Sequence, residues 1–340
     1  MKKALVISII AFLVSAIAFG VSIPLTGLRE GQGFGISIGS FPSIKLGGAS
    51  GEATKAGDIK TYEFDSAVRD IQVVTTVADT TVSVCDVEKI SVTYETTTGG
   101  YYFDAHVDGQ ELIISEEGGF LFNLFSFGKK ESKLKVLLPE KEYGDVEIIT
   151  ASGNTNIDNL VCWDFESVVT SGNSDYKIFA QDIEVTTTSG SVNIENCTER
   201  RAKEIKLDSV SGEHTISGFK CDEYKLNSVS GTITANGISG KGKADIVSGE
   251  IYIAYSEWYG GLSLDAVSGY IDVTLPQDSG VVVDLTAISG GVNVELKDKD
   301  GEVMSASLSG DSESGKIGGV VVNTVKVDLV SGEVNIHNYD

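Results

Sequence analysis

Residues 246–273 read IVSGEIYIAYSEWYGGLSLDAVSGYIDV. Each Ser-Gly pair, 248–249 and 268–269, precedes an alternating apolar run, Ile251-Tyr-Ile253 or Ile271-Asp-Val273, and the second pair also follows one, Leu262-Ser-Leu-Asp-Ala266. Strand side chains alternate between two faces, so each run is a strand with one apolar face. One unit therefore reads strand, Ser-Gly bend, strand, second bend.

The unit recurs. Ser-Gly serines stand at 152, 171, 189, 211, 230, 248, 268, 289 and 331, at intervals of 19, 18, 22, 19, 18, 20, 21 and 42, and Ser309-Gly310 divides the last gap into 20 and 22. Self-similarity near twenty residues is the scale of a solenoid. A lone strand pair of this length has nothing to bury its apolar face against, and stacked copies supply that partner. The prediction is an all-β, single-chain β-solenoid of about 20-residue repeats. Gly153, Gly172, Gly190, Gly212, Gly231, Gly249, Gly269, Gly290 and Gly332 mark its bends, where glycine takes positive φ without a Cβ clash.

The N-terminus sets the compartment. Lys2 and Lys3 precede an uncharged stretch from Ala4 to Leu28, long enough for a transmembrane helix with its positive flank in the cytoplasm. The competing reading is a cleaved signal peptide, because Ala16-Ile17-Ala18 fits the small-x-small cleavage pattern and would make the protein secreted. Either way the remainder is exported. Four segments follow: an anchor or signal at 1–28, a Gly/Ser-rich tether at 29–57, an irregular β lead-in or cap at 58–140, and the regular solenoid at 141–340. In the stretch 297–319, KDKDGE and SGDSESGKIGG replace a clean rung, which reads as a protruding loop.

Composition excludes some partners. The 340 residues carry a net charge of −23, which argues against nucleic acid and anionic lipid, both of which need basic patches.

Copies of V-S-G carry a resemblance: Ser209-Val-Ser-Gly, Ser228-Val-Ser-Gly, Ile246-Val-Ser-Gly, Ala266-Val-Ser-Gly and Leu329-Val-Ser-Gly. With the N-terminal anchor, the irregular lead-in and the Leu138-Pro139 strand end, the chain resembles a bacterial family of "putative adhesin" domains of unknown function, including the LiaG-like membrane proteins of cell-envelope-stress operons. The resemblance implies an extracytoplasmic β-solenoid associated with the envelope. It implies no particular ligand.

No catalytic constellation emerges. His106, His214 and His337 are far apart and lack metal or nucleophile spacing. Glu213, Glu250 and Glu333 each stand two residues after a Ser-Gly serine, but Thr232 and Tyr270 interrupt the series, so a solvated corner is favoured over a calcium ladder. Asp298–Glu302 is read as a plain turn. The expectation is a protein with no cofactor, no metal and no enzymatic activity.

Two contact surfaces are candidates. The run 119–128, GFLFNLFSFG, places Phe120, Phe122, Phe125 and Phe127 in one segment, either a plug on the solenoid end or a surface for membrane, partner or a second copy. Trp258 and Tyr259, with Tyr252 and Tyr255 nearby, are candidates to stack on sugar rings or anchor an interface. Cys197 and Cys221 are a candidate disulfide, trailing successive bends by eight and ten residues. Three functions remain open: a tethered binding scaffold for an envelope protein or polysaccharide, a self-assembling structural protein, and a carbohydrate-active enzyme of the β-helix type.

Overall fold

The computed structural model describes residues 35–36, 44–45, 53–118, 132–277, 279–297, 302–309, 313–318 and 321–339. The chain divides into two compact units, Met1–Glu52 and Ala53–Asp340. In the first, Gly35–Ile36 pairs antiparallel with Ile44–Lys45. The expected membrane helix lies outside the described residues, and among those residues no helix is long and apolar enough to cross a membrane.

The second unit is a β-solenoid. Strands running into the Ser-Gly turn form one parallel stack, the upstream sheet, through Tyr143–Thr150, Asp182–Thr187, Arg201–Ser209 and Lys220–Ser228. Strands leaving the turn form the downstream sheet, through Asn173–Phe179, Ser191–Asn196, Glu213–Ser217 and Glu250–Glu257. Every second side chain enters the space between the sheets. The column Ile194, Ile216, Ala235, Ile253, Val273, Ile336 and Val294 runs rung to rung through the core. Each fully buried aliphatic of this size contributes about 1.5–3 kcal/mol over its exposed state.

The turns stack as closely as the strands. A Cβ on Gly249 would lie 2.3 Å from the carbonyl oxygen of Gly231, and one on Gly190 would lie 2.0 Å from that of Gly172. Gly249 has φ +122. Backbone donors of each turn reach the turn below: Ser171 N to Ala151 O at 3.1 Å, Ser230 N to Val210 O at 2.9 Å, and Ser268 N to Val247 O at 2.8 Å. Gly269 departs from the expected positive φ. There Leu262–Leu275 continues through the turn as one strand.

The order of rungs at the C-terminal end differs from the order in sequence. The strand Val321–Asn338 pairs on one side with Leu262–Leu275 and on the other with Ser279–Ala287 and Gly291–Lys297. Gly332 thus lies between Gly269 and Gly290. The expected protruding loop at 297–319 is corrected accordingly: Val303–Ser309 pairs antiparallel with Gly291–Lys297, and Glu313–Gly318 pairs antiparallel with Ser279–Ala287. These strands finish the outermost rung, and Ser309 ends one of them, so it marks no repeat. The edge of that rung has unpaired N–H and C=O groups, which antiparallel strands satisfy while ending the parallel series.

The N-terminal end is finished in the same way. Outside the first turn, Thr76–Ala78, stand Glu111–Gly118 and Ser132–Pro139, each with an antiparallel neighbour, Tyr101–Asp108 and Ile90–Thr96 respectively. Among the described residues no backbone carbonyl accepts the N–H groups of Thr76–Ala78. The Glu116 carboxylate does so instead, accepting from Thr76, Val77 and Ala78 N at 3.0, 2.9 and 3.0 Å, and from the Tyr94 hydroxyl at 2.9 Å. Glu116 is buried, and three converging backbone donors form an anion nest for it.

Two outcomes follow. Gly249→Ala combines a clash with backbone strain of about 1–3 kcal/mol, whereas the Cβ of Gly269→Ala meets its nearest atom at 3.0 Å with no positive φ; urea unfolding midpoints should fall far more for the first. Glu116→Ala orphans three N–H groups, that of Ala78 buried and costing about 1–3 kcal/mol and those of Thr76 and Val77 half-buried and costing less. It should lower the midpoint and abolish hydrogen-exchange protection at Thr76–Ala78, and Glu116→Gln should do so less.

Candidate functional site

The outward positions of the two sheets differ in chemistry. On the upstream sheet, Asp145, Asp164, Asp182, Glu204 and Glu223 form one column, and Glu147, Glu166, Glu184, Lys206, Lys225 and Lys243 form the next. Lys206 pairs with Glu184 and with Asp208 at 2.8 Å, Lys225 with Glu204, and Lys243 with Asp265. Burial, with Glu147 and Glu184 on either side, pushes the Glu166 carboxyl up to about 7. Such half-exposed pairs are worth about 0–1 kcal/mol each. On the later rungs of this face lysines pair with acids, whereas on its first rungs Asp145, Glu147, Asp164 and Glu166 crowd like charge together.

The downstream sheet shows mainly short polar groups. Outward columns run Asn173, Ser191, Glu213, Thr232, Glu250, Tyr270 and Glu333, and Asn156, Asp175, Asn193, Thr215, Thr234, Tyr252, Asp272, Asn335 and Asn293. Over these residues neither column contains a lysine or arginine; on the first rungs the columns continue to Lys133 and Lys135. Thr232 and Tyr270 separate Glu213, Glu250 and Glu333, and among the described residues no group of three or more His, Cys, Asp or Glu is arranged to hold a metal ion. A shallow depression of about 160 Å³ lies on this face between Asn173, Asp175, Ser191, Asn193, Glu213 and Thr215. That is smaller than a small-molecule pocket of about 300–1,000 Å³, so the face offers a surface and not a cleft.

Its most elaborated part lies toward the C-terminal end. Tyr252 and Tyr270 sit on adjacent rungs with ring centroids 6.0 Å apart and planes at 54°. Tyr252 donates its hydroxyl proton to Glu250 at 2.8 Å, and Tyr270 donates to Asp272 at 3.1 Å while accepting from Asn335 at 3.0 Å. Asn293 Nδ2 bridges Glu333 and Asn335 at 3.0 and 3.1 Å. His337 Nε2 lies 2.9 Å from Asp272 and 3.4 Å from Thr274, and its Nδ1 lies 3.0 Å from the Asn338 carbonyl. Carboxylate and hydroxyl thus meet the same ring nitrogen. A hydroxyl-activating triad needs them on opposite nitrogens.

The residues singled out from sequence fall in different places. Trp258 is 5% exposed, its ring edge-on to Tyr255 at 4.8 Å and its N–H donating to Gly280 O at 3.0 Å, so it belongs to the core and is removed as a contact residue. Tyr255 is buried as well, its hydroxyl against that of Tyr224. Tyr259 is half-buried at the second corner, where its hydroxyl donates to Cys221 O at 3.0 Å and its ring faces Arg201. Phe120, Phe122, Phe125 and Phe127 lie outside the described residues. Tyr270 was not marked by the sequence as a contact residue. The signal was its place two residues after a bend serine, where the side chain points outward.

The Cys197–Cys221 pairing is corrected: all four cysteines are free. Cys221 faces Ala202 in register and points its thiol at Ser239 O at 3.0 Å, while the Cys197 thiol points at Leu160 O at 3.6 Å. The 22-residue interval carries extra corner residues, Thr198–Arg200, held by Asn196 and Thr198 side chains, and these shift the register. His106 is exposed against Asp104 at 2.7 Å. His214 occupies the aliphatic column between Val192 and Ile233, bonded to Ser209 Oγ at 2.7 Å, and its burial lowers its pKa. The valine of V-S-G faces solvent: Val229, Val247, Val267 and Val330 are 37–48% exposed along the turn edge.

Known proteins share this architecture. A solved "putative lipid binding protein" from Parabacteroides distasonis ATCC 8503 is similar at 17% identity and a TM-score of 0.50, over 82% of this chain and 97% of that chain. A "putative adhesin" from Parabacteroides merdae ATCC 43184 shows 10% identity and a TM-score of 0.46, over 83% and 97%. Another from Parabacteroides distasonis ATCC 8503 shows 14% and 0.41, over 82% and 97%. At these identities the likeness concerns the fold. No curated protein matches. The Toastrack DUF4097 model matches residues 68–337, most of the solenoid unit, and the chain belongs to that family.

Proposed function

We propose that this protein is a non-enzymatic scaffold, tethered to the cell membrane by residues 1–28 with its N-terminus in the cytoplasm, whose solenoid binds an envelope component outside the cell. The observation that carries the reading is the downstream face: two long outward columns of amides, hydroxyls, carboxylates and tyrosines in which lysines, Lys133 and Lys135, stand only at the N-terminal end. Such a surface offers many hydrogen-bonding groups to an extended ligand, and its few lysines, Lys133, Lys135 and Lys177, fall short of the basic patch that nucleic acid requires. A link to envelope stress rests on the family resemblance.

An enzyme reading is less supported. The one His-Asp-Thr grouping on this face shares a single ring nitrogen, and Nδ1 is turned to a backbone carbonyl. End-to-end assembly is less supported too, because the parallel series is finished at both ends by antiparallel strands.

Exposed Lys203 and Lys241 allow a direct test with a membrane-impermeant amine-reactive biotin. The expected result is labelling in intact cells, co-sedimentation with membranes, and release of the solenoid when residues 4–28 are deleted from a version carrying a cleavable export signal. Labelling only after lysis contradicts export, and a full-length wild-type chain free in the medium contradicts the tether.

A further inference from the structure

We infer that the C-terminal part of the downstream face is a saccharide-binding platform on which Tyr252 and Tyr270 stack against the apolar faces of pyranose rings in a neutral glycan. The inference deepens the envelope-binding reading by giving the class of ligand.

The two tyrosines break a pattern. In the same outward columns, neighbouring rungs place Thr232 and Thr234 or Glu333 and Asn335. Two large rings at solvent-facing positions are not needed by the core, which is filled from the opposite face by Ile251, Ile253, Ile271 and Val273. Each ring is fixed by its hydroxyl, Tyr252 to Glu250 and Tyr270 to Asp272 and Asn335. The platform is therefore ordered before a ligand arrives, which lowers the entropic cost of binding.

The surrounding groups select the ligand. An amphipathic ring presents an apolar face with a polar rim, and the C–H face of a pyranose with its equatorial hydroxyls is the matching chemistry. Asp272, Glu333 and Asn335 surround the rings with acceptors for several hydroxyl protons at once, while Asn293 and His337 hold those acceptors in place. On the downstream strands of these rungs the outward positions include Glu250, Asp272, Glu333 and Glu295, and one lysine, Lys297, four residues along the last strand from Asn293. Uronates, sulfated sugars and phosphate-bearing polymers would meet an excess of like charge. A neutral chain meets none.

The test is titration calorimetry of the full chain in detergent micelles with chitotetraose, cellotetraose and mannotetraose, and with tetragalacturonate as the anionic comparison. At least one neutral tetraose should bind saturably, Tyr252→Ala and Tyr270→Ala should each weaken it about tenfold, and Tyr270→Phe, which keeps the ring, should weaken it less. Urea midpoints identify any variant that fails to fold. Thr215→Ala, on the same face but several rungs away, should bind as wild type. The inference is overturned if no neutral tetraose binds, if folded Tyr252→Ala and Tyr270→Ala bind as wild type, or if tetragalacturonate binds best. Because the titration is independent of cell topology, its failure is distinct from failure of the export test.

Discussion

Contact between one turn backbone and the next is the constraint on which this molecule rests. Gly172, Gly190, Gly212, Gly231 and Gly249 each approach the carbonyl oxygen of the glycine below so closely that a Cβ would lie 2.0–2.4 Å from it. That approach brings the N–H of one turn to the C=O of the next and fixes the register of both sheets. Once register is fixed, like positions in successive repeats form columns. A small polar residue repeated along the sequence becomes a polar face, and the valines that precede five of the bend serines line one edge. The faces are thus consequences of the turns.

A parallel stack also has to stop. At one end a buried carboxylate, Glu116, accepts the N–H groups of Thr76–Ala78. At the other end the chain passes one rung position by, builds the outermost rung with its antiparallel strands, and returns to fill the gap with Val321–Asn338. The rung that comes last in sequence is an interior one, so this end of the stack closes only once Val321–Asn338 is in place.

Much of the fold was legible because its determinants are local. Serine, glycine and the apolar residues three and five positions later lie within one strand and turn, and their recurrence gave the solenoid and the core columns directly. What was not legible depends on distant residues. Glu116 lies 38–40 residues from the N–H groups it binds, and nothing around it in sequence distinguishes it from Glu117. The double-length interval before Ser331 concealed an insertion, since spacing reports how long a rung is and not where it sits. Trp258 was read as a surface aromatic beside a glycine pair, but its N–H finds Gly280 O across a corner. Tyr270 gains its meaning only beside Tyr252 on the neighbouring rung. The Cys197–Cys221 pairing failed for a simpler reason, three extra corner residues in one repeat.

The order of the turn column is the most direct measurement of the account, because Ser268 faces Ser331 in register while Ser289 lies one rung further on. Two variants of the chain, one with cysteine at 268 and 331 and the other with cysteine at 268 and 289, would be oxidised under native conditions and their linked peptides identified by mass spectrometry. In-register positions on adjacent rungs are about 5 Å apart and within reach of a disulfide, whereas a two-rung separation of about 10 Å is beyond it. The account predicts rapid crosslinking of the first pair and none of the second. Crosslinking of 268 to 289 without 268 to 331 would contradict it.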